Sequence, residues 1–244
     1  MNSGLYAACA GLRAKTQALD VLANNLANIS TSGFKAEQPV FRSVLAQATQ
    51  TVLTPINAAI NNYGVLGGAR LDLSSGNLEH TGSLFDMGIE GNAFFAVQTP
   101  GGVLYTRNGG FQLSAKNQLV TARGDIVLGE QGPITLPRGK LSVSPDGTLS
   151  VEGALAGKLR LVEFASGAQL NSVGSGYYSA ESSSAGRAVL SYVRQGTLEA
   201  ANVTPVGATV SLIALQRQAE MLKRALGSFY SEFNRIAAED LPRI

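Results

Sequence analysis

The sequence predicts a mostly β central domain flanked by N- and C-terminal α-helices that form a coiled-coil-like bundle. Three observations predict it. Both ends repeat apolar residues every seven positions, the middle alternates apolar and polar residues between turn signals, and 28 glycines in 244 residues supply those turns. A chain of this length buries a substantial core, as one large domain or two modest ones.

At the first end, Leu5, Leu12, Leu19 and Leu26 form one column of a heptad. Ala8, Lys15, Leu22 and Ile29 form the other, so the helical seam is imperfect only at Lys15. Ser30-Thr31-Ser32-Gly33 breaks the pattern, with Gly33 as terminator. At the other end, Leu212, Ala219, Leu226 and Phe233 alternate with Leu215, Leu222, Phe229 and Ile236, and every seam position is apolar. This helix is expected to start near Pro205, with Thr204 as cap, and to end before Pro242. Gln216, Arg217, Gln218, Glu220, Lys223 and Arg224 give it a polar flank.

Two narrow seams at opposite ends suggest that each is made for the other. Leaving them in water forgoes ~1.5–3 kcal/mol per large side chain. The alternative is that both helices cover the central domain, a role that ordinarily asks for a wider apolar stripe.

The middle reads as strands. Ile89 to Thr99, the turn Pro100-Gly101-Gly102 and Val103 to Leu113 make a hairpin. Leu141-Ser142-Val143 and Thr148 to Val151 alternate around the turn Ser144-Pro145-Asp146-Gly147. Lys158 to Phe164 alternates again. Residues 35–75 hold Pro39, Pro55 and a glycine-rich run, which argues for an irregular linker. The expected organisation is therefore an N-terminal assembly helix over 1–34, that linker over 35–75, a β-rich core domain over 76–198 and a C-terminal assembly helix over 199–244.

Composition narrows the function classes. With 19 basic and 17 acidic residues there is no electrostatic bias toward nucleic acid, and the aromatics are not interleaved with Lys or Arg. No stretch approaches the ~20 apolar residues that cross a bilayer, so no membrane insertion is expected. The opening apolar run lacks a preceding basic residue and is interrupted by Arg13, so no cleavable signal is expected. Cys9, the single cysteine, reads as a buried helical residue.

Chemistry is poorly supplied. His80, Ser83 and Asp86 lie in one short stretch, a poor way to assemble a triad, and there is no nucleophile elbow. One histidine and one cysteine far apart give no metal spacing, and Gly64-x-x-Gly67-Gly68 is not followed by the Lys-Ser or Lys-Thr of a phosphate loop. No cofactor, metal or catalytic residue is expected, and the protein does not read as an enzyme. Phe94, Phe95 and Tyr105 read as core. Arg107 and Glu90 either pair across the hairpin or are solvated separately.

Where the first helix ends stand Ala23-Asn24-Asn25-Leu26-Ala27-Asn28, then Thr31, Gly33, Phe34 and Lys35. Further along come Thr81 to Asp86, Ile89-Glu90-Gly91-Asn92-Ala93-Phe94-Phe95 and Tyr105-Thr106-Arg107-Asn108-Gly109. Near the end come Gln195-Gly196-Thr197-Leu198-Glu199 with Ala201-Asn202-Val203, then Leu212-Ile213, Gln216-Arg217 and Glu220-Met221. In this order the runs strongly resemble the flagellar basal-body rod family, which includes proximal-rod, distal-rod and hook subunits. The resemblance covers almost the whole chain and is weakest over 35–75. Ser30 stands where Asn is common, and Gly207-Ala208 replaces a frequent acidic pair.

The resemblance implies a structural subunit of the tubular drive shaft that transmits torque, with the proximal rod favoured over the distal rod or a hook-type subunit. It implies assembly in the periplasm with copies of itself and other rod subunits, after uncleaved passage through the flagellar type III export apparatus. A reading from a different class is a secreted β-domain binding module oligomerised by its terminal helices. The expected assembly interface comprises Leu5, Leu12, Leu19, Leu22, Asn24, Asn25, Leu26, Asn28, Leu212, Leu215, Leu222, Leu226 and Phe229, with Gly33 and Phe34 anchoring helix to core. Asn24, Asn25 and Asn28 are costly within a helix and are read as interface groups in preference to caps, although capping accounts for Asn28. A lone narrow seam does little to offset ordering entropy, so both terminal segments are expected to be partly disordered in a free monomer.

Overall fold

The structure is a computed structural model that describes residues 2–45, 62–165, 168–180, 185–187 and 190–240. The described residues form two compact units. One combines residues 2–26, 37–45, 62–70 and 205–240, and the other residues 27–36 with the described part of 71–204.

The first unit holds helix α1 (Asn2–Ala27), strands β1 (Glu37–Leu45) and β2 (Asn62–Leu71), which pair as a two-stranded sheet, and helix α2 (Pro205–Asp240). Pro205 opens α2, where its missing N–H costs nothing, and Thr209 Oγ1 donates back to Pro205 O at 2.8 Å. The stretch 35–75, expected to be irregular, thus contributes paired strands. Pro39 lies within β1 and not between elements, a placement that proline tolerates on an edge.

The covered face of α1 differs in phase from the leucine seam. Among its described side chains the buried ones are Ala14, Ala18 and Asn25, whereas Leu12, Leu19, Leu22 and Leu26 lie beside that line and are half-buried. Small side chains let a neighbour approach closely, so burial is deepest over alanine. Cys9 lies on the opposite face and is exposed, contrary to the buried residue expected. Lys15, the flaw in the seam, sets its ammonium 4.7 Å from the centre of the Phe41 ring on β1. Among the described side chains of α2, those half-covered are Ala208 and the heptad positions Leu212, Leu215, Ala219, Leu222 and Leu226. A methyl placed on Gly11 would meet Leu222 Cδ1 at 3.9 Å, which puts that position of α1 beside the α2 seam.

The second unit is β throughout. Its strands β3 to β19 run in order Leu78–His80, Met87–Glu90, Phe94–Thr99, Gly102–Thr106, Phe111–Leu113, Leu119–Thr121, Ile126–Gly129, Gly132–Pro133, Leu141–Val143, Thr148–Val151, Ala154–Lys158, Leu161–Phe164, Leu170–Gly174, Tyr177–Ala180, Ala185–Arg187, Tyr192–Gln195 and Thr197–Glu199. The main sheet runs β15-β16-β6-β5-β9-β8-β7, with β14 also pairing β5. β5 and β6 form the expected hairpin over 94–106, closed at Thr99↔Gly102, whereas its expected outer parts are the separate strands β4, paired with β18, and β7, paired with β8. Alternate residues of β5 serve two cores. Phe95 and Val97 join Leu119, Val127, Leu149 and Leu159, while Phe94 and Ala96 join Tyr105, Val162 and Tyr178. That double burial explains the unbroken apolar run Phe94 to Val97.

β11 and β12 form the second expected hairpin around the turn 144–147, and β13 completes their sheet. Lys158 to Phe164 does not remain one strand. It divides at Leu159-Arg160 between β13 and β14, which belong to different sheets. The late strands return to the early ones, β18 pairing β4 and β19 pairing β3, all antiparallel.

Candidate functional site

Within the second unit, three segments distant in sequence close on a buried charge cluster. Lys35 Nζ lies 2.8 Å from Glu199 Oε1 and Arg107 Nε lies 3.1 Å from Glu199 Oε2, with all three side chains 1% exposed. Lys35 also donates to Ser74 O at 2.7 Å, and Gly76 N donates to Glu199 Oε1 at 2.8 Å. The Arg107 guanidinium donates to Ala93 O and Gly91 O, each at 2.6 Å, and its carbon sits 5.4 Å from the centre of the Phe94 ring.

Backbone pairing tightens the same place. Gly33 N donates to Glu199 O at 2.7 Å, and Lys35 N to the Tyr178 hydroxyl at 2.9 Å. Asn202 uses both ends of its amide. Oδ1 accepts from Ala36 N at 2.7 Å, and Nδ2 donates to Asp72 O at 2.9 Å and Ser74 O at 3.1 Å. Three glycines are obligatory here because backbone fills the space a side chain needs. A Cβ on Gly33 would lie 2.3 Å from Arg107 C, on Gly76 1.9 Å from Ala200 O, and on Gly109 1.7 Å from Met87 O. Gly33 therefore serves this close approach, several residues beyond the end of α1 at Ala27.

The cluster holds two cations and one anion. Burial, and next the Arg107 charge, push the Lys35 ammonium below its ordinary pKa against the opposing pull of Glu199. Burial likewise lowers Arg107, again opposed by Glu199. The approach of Arg107 Nε to Glu199 Oε2 is ionic and not a directed hydrogen bond, since neither atom has a hydrogen-bond partner. Removing one member of such a buried pair costs ~3–5 kcal/mol, because the charge left behind stays desolvated.

The residues expected at the assembly interface fall in both units. Asn25 is buried, and its amide closes on one backbone residue of β1: Nδ2 donates to Glu37 O at 2.8 Å and Oδ1 accepts from Glu37 N at 2.9 Å. Asn24 is exposed, and Asn28 is half-buried in the turn after α1, where its Oδ1 accepts from Thr31 Oγ1 at 3.3 Å. Leu5 and Phe229 lie on α1 and α2, and their side chains are outside the described residues. Gly33 and Phe34 are buried in the second unit, with Phe34 O accepting from Asn202 N at 3.3 Å. Outside the α2 seam, Val206, Val210, Ile213 and Met221 are exposed by 76%, 61%, 45% and 63%, which leaves an apolar row uncovered in the first unit.

The remaining polar residues form surface contacts. Glu90 pairs with Arg194 at 2.8 Å on the surface, so Arg107 is neither its partner nor solvated. His80 is exposed on β3, and Asp86 accepts from Thr81 Oγ1 at 2.6 Å. Among the described residues no group of three His, Cys, Asp or Glu could hold a metal ion, and no helix is long and apolar enough to cross a membrane.

Comparison with known proteins gives a consistent answer. The family model described as Flagella basal body rod protein matches residues 5–35, and that of the Flagellar hook protein FlgE/F/G D1 domain matches residues 88–151. The flagellar basal-body rod protein FlgF of Caulobacter vibrioides is 32% identical, with 100% of each chain covered. FlgF of Salmonella typhimurium is 32% identical over 93% of this chain and 94% of its own length. The chain belongs to the flagellar basal-body rod protein family. A member named FlgG, from Buchnera aphidicola, is 30% identical over 93% of this chain and 95% of its own.

As a rod-family protein, the chain shows where its signature runs meet. The match over 5–35 ends at Lys35, and the match over 88–151 contains Arg107. Glu199 and Asn202 lie beyond both, yet they close the same cluster. Sequence reasoning singled out Lys35, Glu199 and Asn202 only as parts of separate runs, and weighed Arg107 against Glu90 instead of Glu199. A signal was present for three of them: Lys35, Glu199 and Asn202 are each set directly between apolar residues, whereas Arg107 stands between Thr106 and Asn108, and the three charges are of complementary sign.

Proposed function

We propose that this protein is a structural subunit of the bacterial flagellar basal-body rod, assembling with itself and other rod subunits through its two terminal helices. The observation that carries this reading is relatedness from end to end, 100% of the chain against 100% of a rod protein. It is supported by α2, whose heptad positions are only half-covered by its own chain and whose second apolar row is uncovered. Helices from neighbouring subunits complete both stripes in a coiled-coil-like bundle that lines a tube, while the β-rich core packs outside and stiffens the shaft. Gly33 and Phe34 anchor the helical end to the core. The chain passes through the type III export apparatus without cleavage and assembles in the periplasm. We favour the proximal rod over the distal rod or a hook-type position.

Electron microscopy of basal bodies from a deletion strain, with and without the gene restored, tests the proposal. Loss of a complete rod, repaired by complementation, supports it, and the point at which the rod stops places the subunit. Intact basal bodies and normal swimming would overturn it in favour of a secreted binding module.

A further inference from the structure

The second unit has a marked division between local and remote contacts. The hairpins β5–β6, β7–β8 and β11–β12 join neighbours in sequence and form from the chain already at hand. The charge cluster does not. Lys35 and Glu199 are 164 positions apart, Ala36 and Asn202 166, and Gly76 and Glu199 123. Around them, β18 and β19 complete β4 and β3, Val193 N donates to Pro145 O at 2.8 Å, and the Ser191 hydroxyl accepts from Ala93 N at 3.1 Å. One C-terminal stretch, 191–202, thus closes what four earlier parts of the chain leave open.

We infer that the second unit shuts last at the Lys35–Glu199–Arg107 junction, with Glu199 as the closing residue, so that a chain emerging N-terminus first stays open until 199–202 arrive. The driving asymmetry is charge. Until Glu199 arrives, desolvating Lys35 and Arg107 together buries two cations, and Asp72 attracts Lys35 less than Glu199 does. Both side chains stay in water meanwhile, and the segments 33–36 and 74–76 stay unpinned. At a synthesis rate of ~5–20 residues per second, the interval between Lys35 and Glu199 is on the order of ten to thirty seconds. The closure order rests on these sequence separations and on the charge balance of the junction. Its purpose, keeping an exported subunit threadable, rests on the rod reading proposed above.

Pulse-labelled hydrogen exchange during refolding of the purified full-length protein tests the order directly and needs no variant. The amides of Ser114 and Ser144, which donate to Gln118 O and Thr148 O at the β7–β8 and β11–β12 turns, should gain protection first, and those of Gly33, Ala36, Gly76 and Ala200 last. Simultaneous or reversed protection overturns the inference. Glu199→Gln gives a second readout: unfolding should accelerate about 100-fold or more while refolding changes by less than about 2-fold. Refolding slowed in proportion, or neither rate changed, also overturns it. Both experiments are done in solution, so an incomplete rod in the deletion strain together with early junction closure would reject the inference and keep the rod assignment.

Discussion

The charge junction and helix α2 are opposite solutions to the same problem. At the junction the three charged side chains are each 1% exposed and their partners come from the same chain. Along α2 the heptad leucines are half-covered, and Val206 and Val210 stand 76% and 61% exposed. The first region is finished within one molecule, and the second leaves apolar surface for the contacts proposed above. Self-sufficiency and assembly are divided between parts of the chain, so a substitution can damage one and leave the other intact.

The largest effect is expected at the finished region. Glu199→Ala should lower the stability of the β unit by ~3–5 kcal/mol, read by chemical denaturation. Lys35→Met should cost less than half as much, because it leaves Arg107 and Glu199 as a balanced pair. Equal losses would mean that charge balance is not what holds the junction. Asn25→Ala should come next, at ~1–3 kcal/mol in the helical unit, since it strands both backbone groups of Glu37.

Smaller still are the helical stripes. Leu215→Ala with Leu222→Ala should cost the isolated protein ~1–2 kcal/mol and leave the β unit's melting unchanged, yet abolish rescue of motility. Ile213→Ser should alter monomer stability by less than ~0.5 kcal/mol and still impair rescue. Full rescue by both variants would erase the division between the regions. In the purified monomer, amides of α2 should exchange well before those of β5. The smallest effect belongs to Asp146, held down to about 2 by the Lys158 ammonium and the Thr148 hydroxyl. Its contribution is complete above the ordinary carboxylate value of 3.8 and is lost as pH falls through about 2. Solvent screening limits it to ~0.2–1 kcal/mol, so Asp146→Asn should only flatten the acid limb of the stability curve.

Legibility in the sequence followed the range of each interaction. The β class, both terminal helices, the Pro205 start of α2 and the turns at 100–101 and 144–147 rest on neighbours within a few residues, and they were readable. Strands β1 and β2 were not, because a two-stranded ribbon carrying Pro39 and several glycines has a weak alternation. The line of deepest burial on α1 was not legible because leucines dominate a periodicity count, whereas Ala14 and Ala18 are what this chain's own packing covers most fully. Arg107 was weighed against Glu90, close in sequence, when its partner Glu199 lies far along the chain. Pairing across such a distance leaves no periodic trace. Its only trace is at Lys35 and Glu199, charges set between apolar neighbours, and it is missing at Arg107, which stands between Thr106 and Asn108.

The Asn25 amide has a consequence for a shaft that rotates. Stripes of leucine are smooth in one respect: a helix can roll on them, exchanging one methyl contact for another at little cost. A primary amide gripping both the N–H and the C=O of one residue permits no such roll, because a turn of α1 about its own axis breaks two directed bonds at once. Asn25 acts as a key in a keyway, indexing the angular position of α1 to strand β1 through two bonds that break together.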